Sequence, residues 1–382
     1  MNKVTVRNLH LTDLQQPNML PQIIHKLSQG EYYPALEKQI EQNSRLDRRK
    51  FEGFTDVEMM YYYVHQRKHI RQNRDRKHNT KVEYLRNLLQ FYRYAAESRQ
   101  FLKEDVKDYT EDSLLKNLRP WHIRHYQEYL QTAPLGKGGK PYTAATLDGK
   151  LTILKSFLKW LYTSKHIDFP LHEEFLGTSL SGEDIPNRDL YYHEVKQLLD
   201  YYQDHPIHHA LLTMLAMTGL RVREVAEAKW RDLYLDPLSG HYRLKGVGKR
   251  DKPFDKYIHP VLFERIIKYR ERRRVSIEMN PDDNGPLFPN REGDHYTYKN
   301  LSNLIIRAIE RTDLPFLKQR KEKVTPHFFR HFYAIYSRQQ GADIFLIQKE
   351  LGHQDRRTTE RYLEKVLQRE QEIGMLWNQD NF

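Results

Sequence analysis

The chain has no cysteine among its 382 residues. That absence excludes disulfides, thiolate metal centres and cysteine nucleophiles together. Long apolar runs are missing as well. Nothing approaches the roughly 18–20 residues that a bilayer-crossing helix needs, so no membrane partner is expected. The opening stretch MNKVTVRNLHLTDLQQ lacks an uninterrupted apolar h-region, and a cytoplasmic, nucleoid-facing location is the expectation. Gly136-Lys137-Gly138-Gly139-Lys140 is only superficially a phosphate loop. A P-loop wants Ser or Thr after its lysine, and Pro141 follows here, so the segment reads as a turn. His205, His208 and His209 have no acidic or cysteine partner at ligand spacing, and read as a surface histidine patch with no metal bound. No cofactor is expected.

What is present in excess is positive charge. Lysine and arginine outnumber aspartate and glutamate by 63 to 51, a formal net charge of +12. Such an excess is the electrostatic footprint of phosphate binding, because neutralising phosphates releases condensed counterions. The length is too great for one ordinary core and fits two domains. Residues 1–53 read as an N-terminal extension of unclear role, with one or two helices around GEYYPAL. Residues 54–180 read as a helical domain. Within it Tyr84, Leu85, Leu88, Leu89 and Tyr92 share one helical stripe, and Leu147, Leu151, Leu154, Leu158 and Leu161 form another. Pro120 sits well just inside a helix start. Basic residues Arg71, Arg74, Arg76 and Lys77, with Lys150, Lys155 and Lys159 beside the second stripe, suggest a DNA-facing surface. A Gly-, Ser-, Asp- and Pro-rich stretch around GTSLSGEDIPNRD reads as a linker, and residues 185–382 as a second domain with a C-terminal tail. Three short strands are predicted there, Leu233–Leu235, Tyr242–Val247 and Phe254–Ile258, joined by turns. The overall class is mainly α with a small antiparallel sheet.

In this second half, polar groups fall where a core would not want them. Arg221 closely follows the apolar run LLTMLAM, and a charge near the end of a buried helix requires a partner or a ligand. Glu224 lies three residues on and could hold it. Thr325 can cap a helix with Pro326 in its first turn, which puts His327 and Arg330 one turn apart on one face. Leu351-Gly352-His353 ends another helix, and Tyr362 follows nine residues after His353.

These residues, in this order, resemble the tyrosine recombinase (phage integrase) family. That family's pattern is an arginine in T-G-L-R with a glutamate three residues on, a lysine in a β-hairpin turn, H-x-x-R, L-G-H, and a tyrosine nine residues later. Here the positions are filled by Arg221 with Glu224, Lys249, His327 with Arg330, His353 and Tyr362, and 23 residues separate Arg330 from His353. Lys245 and Lys252 flank Lys249, which is preferred for its Gly-Lys context. Phe332 departs from the pattern, which usually has a small hydroxyl residue there; the expected effect is on packing. The resemblance is specific over about Asp184 to Val366, and the helical region before it matches the family's SAM-like core-binding domain only in size, helicity and charge.

The resemblance implies an α+β catalytic domain that cleaves and rejoins double-stranded DNA through a 3′-phosphotyrosyl bond, without metal or ATP. Tyr362 would be the nucleophile, its phenol being too weakly acidic, with a pKa near 10, to attack unaided. Arg221 and Arg330 would hold phosphate oxygens in their planar forks, and His353 would donate a further hydrogen bond. His327 would take the phenolic proton and Lys249 would protonate the leaving 5′ oxygen. It further implies a homo-tetramer on paired sites, possible accessory DNA-bending proteins, and a tail after Tyr362 that docks on a neighbouring protomer. Two rivals stay open at this point: a type IB topoisomerase-like relaxing enzyme, and a DNA-binding regulator that has lost catalysis.

Overall fold

The computed structural model describes residues 19–67, 75–178, 187–248, 251–352, 360 and 363. The chain divides into two compact units, Met1–Ile185 and Pro186–Phe382. Lys249, His353 and Tyr362 lie outside the described residues, as do Arg71, Arg74 and the tail after Leu363. Among the described residues no helix is long and apolar enough to cross a membrane.

The first unit is helical: α1 (Leu20–Ser28), α2 (Tyr33–Arg45), α3 (Asp56–His65), α4 (His78–Glu97), α5 (Arg99–Asp105), α6 (Pro120–Thr132) and α7 (Ala144–Thr163). Its centre is α3, all ten residues of which are buried. In DVEMMYYYVH the apolar and aromatic residues 59–64 cover every side, the pattern of a helix enclosed by others. A capping box starts it, with Thr55 Oγ1 accepting from the Glu58 amide and Glu58 Oε2 accepting from the Thr55 amide. The two expected stripes do face this core: Leu85, Leu88, Leu89 and Tyr92 of α4, and all five leucines of α7, are buried. Residues 20–45 do not stand apart as an extension. Ile23, Ile24, Leu27 and Leu36 belong to the same core, since α1 and α2 each carry an apolar face that nothing else would cover.

The expected basic surface of this unit divides in two. Arg76 is committed to the fold, donating to the carbonyls of Tyr63 and Val64 with its guanidinium 4.7 and 4.6 Å from the rings of Tyr63 and Tyr84. Lys150 is likewise engaged, by Asn87 Oδ1 and Gln90 Oε1. Lys77, Lys155 and Lys159 are exposed.

The second unit contains α8 (Tyr192–Tyr201), α9 (Pro206–Thr218), α10 (Val222–Glu227), α11 (Pro260–Arg273), α12 (Tyr298–Arg311), α13 (Pro315–Lys318), α14 (Pro326–Gln339) and α15 (Ile344–Leu351). Between α10 and α11 lies an antiparallel sheet in the order β1 (Leu233–Leu235), β2 (Tyr242–Val247), β3 (Pro253–Ile258). Helix α9 is buried along nearly its whole length and packs against α11 and α14. This burial overturns the surface histidine patch. His208 and His209 are inside, His208 stacked 4.2 Å from the ring of His205, because they occupy the first turn of a core helix that His205 caps. Phe332 is part of the core and stacks on Tyr336.

One buried carboxylate ties the first unit together. Asp56 accepts from Ser113 Oγ and from the amides of Leu114 (2.7 Å) and Leu115 (3.2 Å). Removing an acceptor from buried donors leaves them unsatisfied. Asp56→Ala is therefore expected to cost about 2–4 kcal/mol. The same substitution should speed amide hydrogen exchange in 113–118 selectively; exchange unchanged there would count against this role.

Candidate active site

The site is assembled where two helices end. Helix α9 closes at Gly219, whose φ of +59° suits glycine, and a Cβ there would lie 2.8 Å from the ring of Tyr333. The chain then turns outward so that Arg221 becomes the N-cap of α10. Glu224 secures it twice: Oε2 accepts from the Arg221 amide and Oε1 from Nη1, both at 2.8 Å. The partner that Arg221 requires is therefore Glu224. Glu224 is buried while the Arg221 side chain keeps 32% exposure, so the bridge orients the arginine without enclosing it.

The β2–β3 hairpin approaches the same carboxylate. A Cβ on Gly248 would sit 2.7 Å from Glu224 Oε1, and the Gly248 amide donates to the Lys252 carbonyl at 2.7 Å. Glycine here permits the close approach that a side chain would block.

Helix α14 contributes the second arginine. Arg330 is buried, donating from Nη1 to the Gly219 carbonyl at 2.8 Å and from Nη2 to the Leu351 carbonyl. Those carbonyls belong to the ends of α9 and α15, where main-chain acceptors lack helical partners and a cation is favoured. One turn earlier, His327 has its imidazole pKa pushed down to about 4 by burial and by the positive charges of Arg188, Arg330 and Arg221. At neutral pH it is an uncharged ring able to accept a proton. Arg221, Glu224, Gly248, Lys252, Lys256, Arg330 and Gly352 line one cleft of about 490 Å³.

Of the six expected catalytic residues, Arg221, His327 and Arg330 are described, and they act on one another within this region. Two features of this unit escaped the sequence reading. Lys256 is buried on β3 and bonded to Glu350. Strand alternation carried the signal, because Phe254, Lys256 and Ile258 share one face. The second is a basic concavity of about 1000 Å³ in the same unit, lined by Arg272, Arg273, Arg291, Arg307 and Arg311 with Asn300 and Asn303. The run RERRR and the spacing of Arg307 and Arg311 were legible but were passed over in favour of the first unit's basic residues. It lies by His205, at the opposite end of α9 from Arg221, so about 20 Å of helix separates the two.

Comparison with known proteins agrees with this geometry. Residues 188–369 match the phage integrase family model. Tyrosine recombinase XerD of Rickettsia bellii is 28% identical over 301 residues, covering 74% of this chain and 87% of that protein. Tyrosine recombinase XerC of Halalkalibacterium halodurans is 28% identical over 246 residues, covering 63% and 75%. Among solved structures, a lambda integrase dimer bound to a COC′ core site covers 90% of this chain and 85% of its own, with a TM-score of 0.57 at 16% identity. The XerH site-specific recombinase in a post-cleavage complex gives 0.55 at 21% identity, covering 75% and 78%. Residues 188–369 thus form a phage integrase family domain, and the chain is homologous to the tyrosine recombinases, the enzyme class that cleaves and rejoins DNA strands. The homology is to the Xer recombinases in particular, and favours neither the topoisomerase nor the silent regulator.

The depressed pKa of His327 has a definite sign. Between about 4 and the ordinary 6.5 the unfolded chain binds a proton that the folded one refuses, so stability falls as pH drops through that window. His65 and His208, also near 4, act in the same direction. In the DNA-free protein the His327 ring resonances should stay unprotonated down to pH about 5, and Arg221→Gln should move their midpoint upward. A titration midpoint near 6.5 in the folded protein would contradict the arrangement.

Proposed function

We propose that this recombinase breaks one phosphodiester per strand through Tyr362 and conserves its energy in a 3′-phosphotyrosyl bond. The phenolic oxygen attacks phosphorus as its proton passes to the neutral His327. The bond to the 5′ oxygen breaks, and Lys249 supplies the proton that oxygen needs. Arg221 and Arg330 take up the charge on the non-bridging oxygens, with a hydrogen bond from His353. Rejoining is the same path reversed, with a 5′ hydroxyl as nucleophile. The observation that carries this reading is the convergence of Arg221 and Arg330 on one cleft, with a histidine that burial and neighbouring arginine charges hold neutral. Leu363, next in sequence to Tyr362, is buried against Ala334, Ile335, Ile347 and Leu351, which supports a place for the nucleophile beside α14 and α15.

The substrate in this proposal is double-stranded DNA held at paired sites by a homo-tetramer in the nucleoid, with room for accessory DNA-bending proteins. Lambda integrase, which shares the fold, has been solved as a tetramer bound to a Holliday junction. The reaction is common to integration, excision, transposition and resolution. The basic concavity on α11 and α12 would grip phosphates beyond the one being cut.

Full-length protein mixed with fragmented DNA from its source and quenched in detergent should leave protein covalently attached to 3′ ends, whose sequencing reports the target. Tyr362→Phe should abolish the adduct, a loss of at least 1000-fold, and leave DNA affinity within about threefold. An adduct that survives the substitution rejects Tyr362 as the nucleophile. Substituting Arg307 and Arg311 by alanine should weaken binding to all duplexes alike. It should also lower the slope of log affinity against log salt by about 2. An unchanged slope would remove the concavity from the DNA path.

A further inference from the structure

One cation in the cleft has no part in this chemistry. Lys256 is the fourth residue of β3, and its position pairs with Leu244, which pairs in turn with Leu233. Both leucines are buried, as is Ile258 two residues further along the strand. A hydrocarbon is the natural occupant of such a register, and an ammonium there costs several kcal/mol unless it is compensated. Lys256 is 5% exposed all the same.

The compensation is specific. Nζ donates to the main-chain carbonyl of Glu350 at 2.5 Å and to its carboxylate Oε2 at 2.6 Å. The neighbouring carbonyl, that of Leu351, is the one held by Arg330. Two consecutive acceptors at the end of α15 are thus gripped by two cations from different elements, β3 and α14. Helix α15 then closes at Gly352, in the left-handed conformation with φ +63°, and residue 353 follows. Lys256 also lies 5.5 Å from the ring of Tyr333, the side chain that packs against Gly219. In its absence Arg330 would lose its fellow cation at this helix end, while also bonding Gly219 and receiving the phosphate.

Resting on the recombinase reading above, we propose that Lys256 is a positioning residue: by holding the Glu350 carbonyl it fixes the exit of α15, so that His353 meets the scissile phosphate and Arg330 remains available to it.

The test uses the full chain and a suicide duplex built on the sequence recovered from trapped 3′ ends. At saturating duplex, Lys256→Met should form the covalent adduct at least tenfold more slowly than the unaltered protein, with duplex affinity within twofold. Lys256→Arg, which keeps a cationic donor, should recover to within threefold. Glu350→Gln keeps the carbonyl and should also stay within threefold. In a His353→Ala background, Lys256→Met should cost less than twofold more, because both changes remove one function. Wild-type speed in Lys256→Met overturns the proposal, as do fully additive effects with His353→Ala. Equal defects in the Met and Arg variants, or lost duplex binding, would make the lysine a residue of the fold alone and also overturn it. A loss in Glu350→Gln as large as in Lys256→Met would move the role to the carboxylate and reject the carbonyl grip. Failure of the unaltered protein to form any adduct would instead reject the recombinase reading itself.

Discussion

The second unit depends on a guanidinium buried between the ends of two helices. Arg330 donates to Gly219 at the close of α9 and to Leu351 at the close of α15. A buried cation without acceptors would be ruinous, and main-chain carbonyls left over at helix ends are the acceptors the fold has to spare. The consequences spread outward. Because α9 must end where Arg330 can reach it, the turn through Gly219 and Leu220 delivers Arg221 to the rim of the cleft. Because α15 must end there too, the chain beyond Gly352 starts from the same place. The hairpin is the third element, brought in by the approach of Gly248 to Glu224.

Much of this was readable from the sequence where a rule of spacing applied. The leucine stripes of α4 and α7, the start of α14 at Thr325 and Pro326, the one-turn separation of His327 and Arg330, and the three strands all follow from period and punctuation, although the Thr325 side chain makes no capping bond. The roles expected of Arg221, His327 and Arg330 came from order and interval along the chain, through the resemblance to tyrosine recombinases. What failed was burial that depends on tertiary context. Three histidines in five residues look polar, yet α9 is a core helix and takes its first turn inside with it. Arg76 looks like part of a basic run, but the open carbonyls at the end of α3 and two tyrosine rings claim it. Lys256 was hidden by the habit of reading lysine as solvent-facing, although strand alternation marked it as inward. Local pattern tells which faces are apolar; it does not tell which polar groups a neighbouring element will need.

Electrostatics sets the division of labour among like charges. Arg221 is oriented by a carboxylate, Arg330 by carbonyls and Lys256 by one of each. His327, within reach of three arginines' fields, is the group that gives up its charge, since imidazole loses its proton far more readily than guanidinium. A half-buried imidazole thus sits in the field of three guanidinium cations. Burial first, and then the positive charge that makes the site attractive to phosphate, keep the histidine uncharged at neutral pH.

The carbonyls around Arg330 bear on reversibility. A guanidinium already solvated by two oxygen dipoles gains less from a ground-state phosphodiester, with its single charge, than a bare one would. The pentacoordinate phosphorane carries more negative charge on the same oxygens and gains proportionately more. In the proposed reaction, partial satisfaction of the cation would lower affinity for the intact and rejoined strands while preserving the preference for the state between them. For an enzyme whose substrate and product are chemically the same linkage, that keeps both ends of the reaction equally shallow and lets the strand leave.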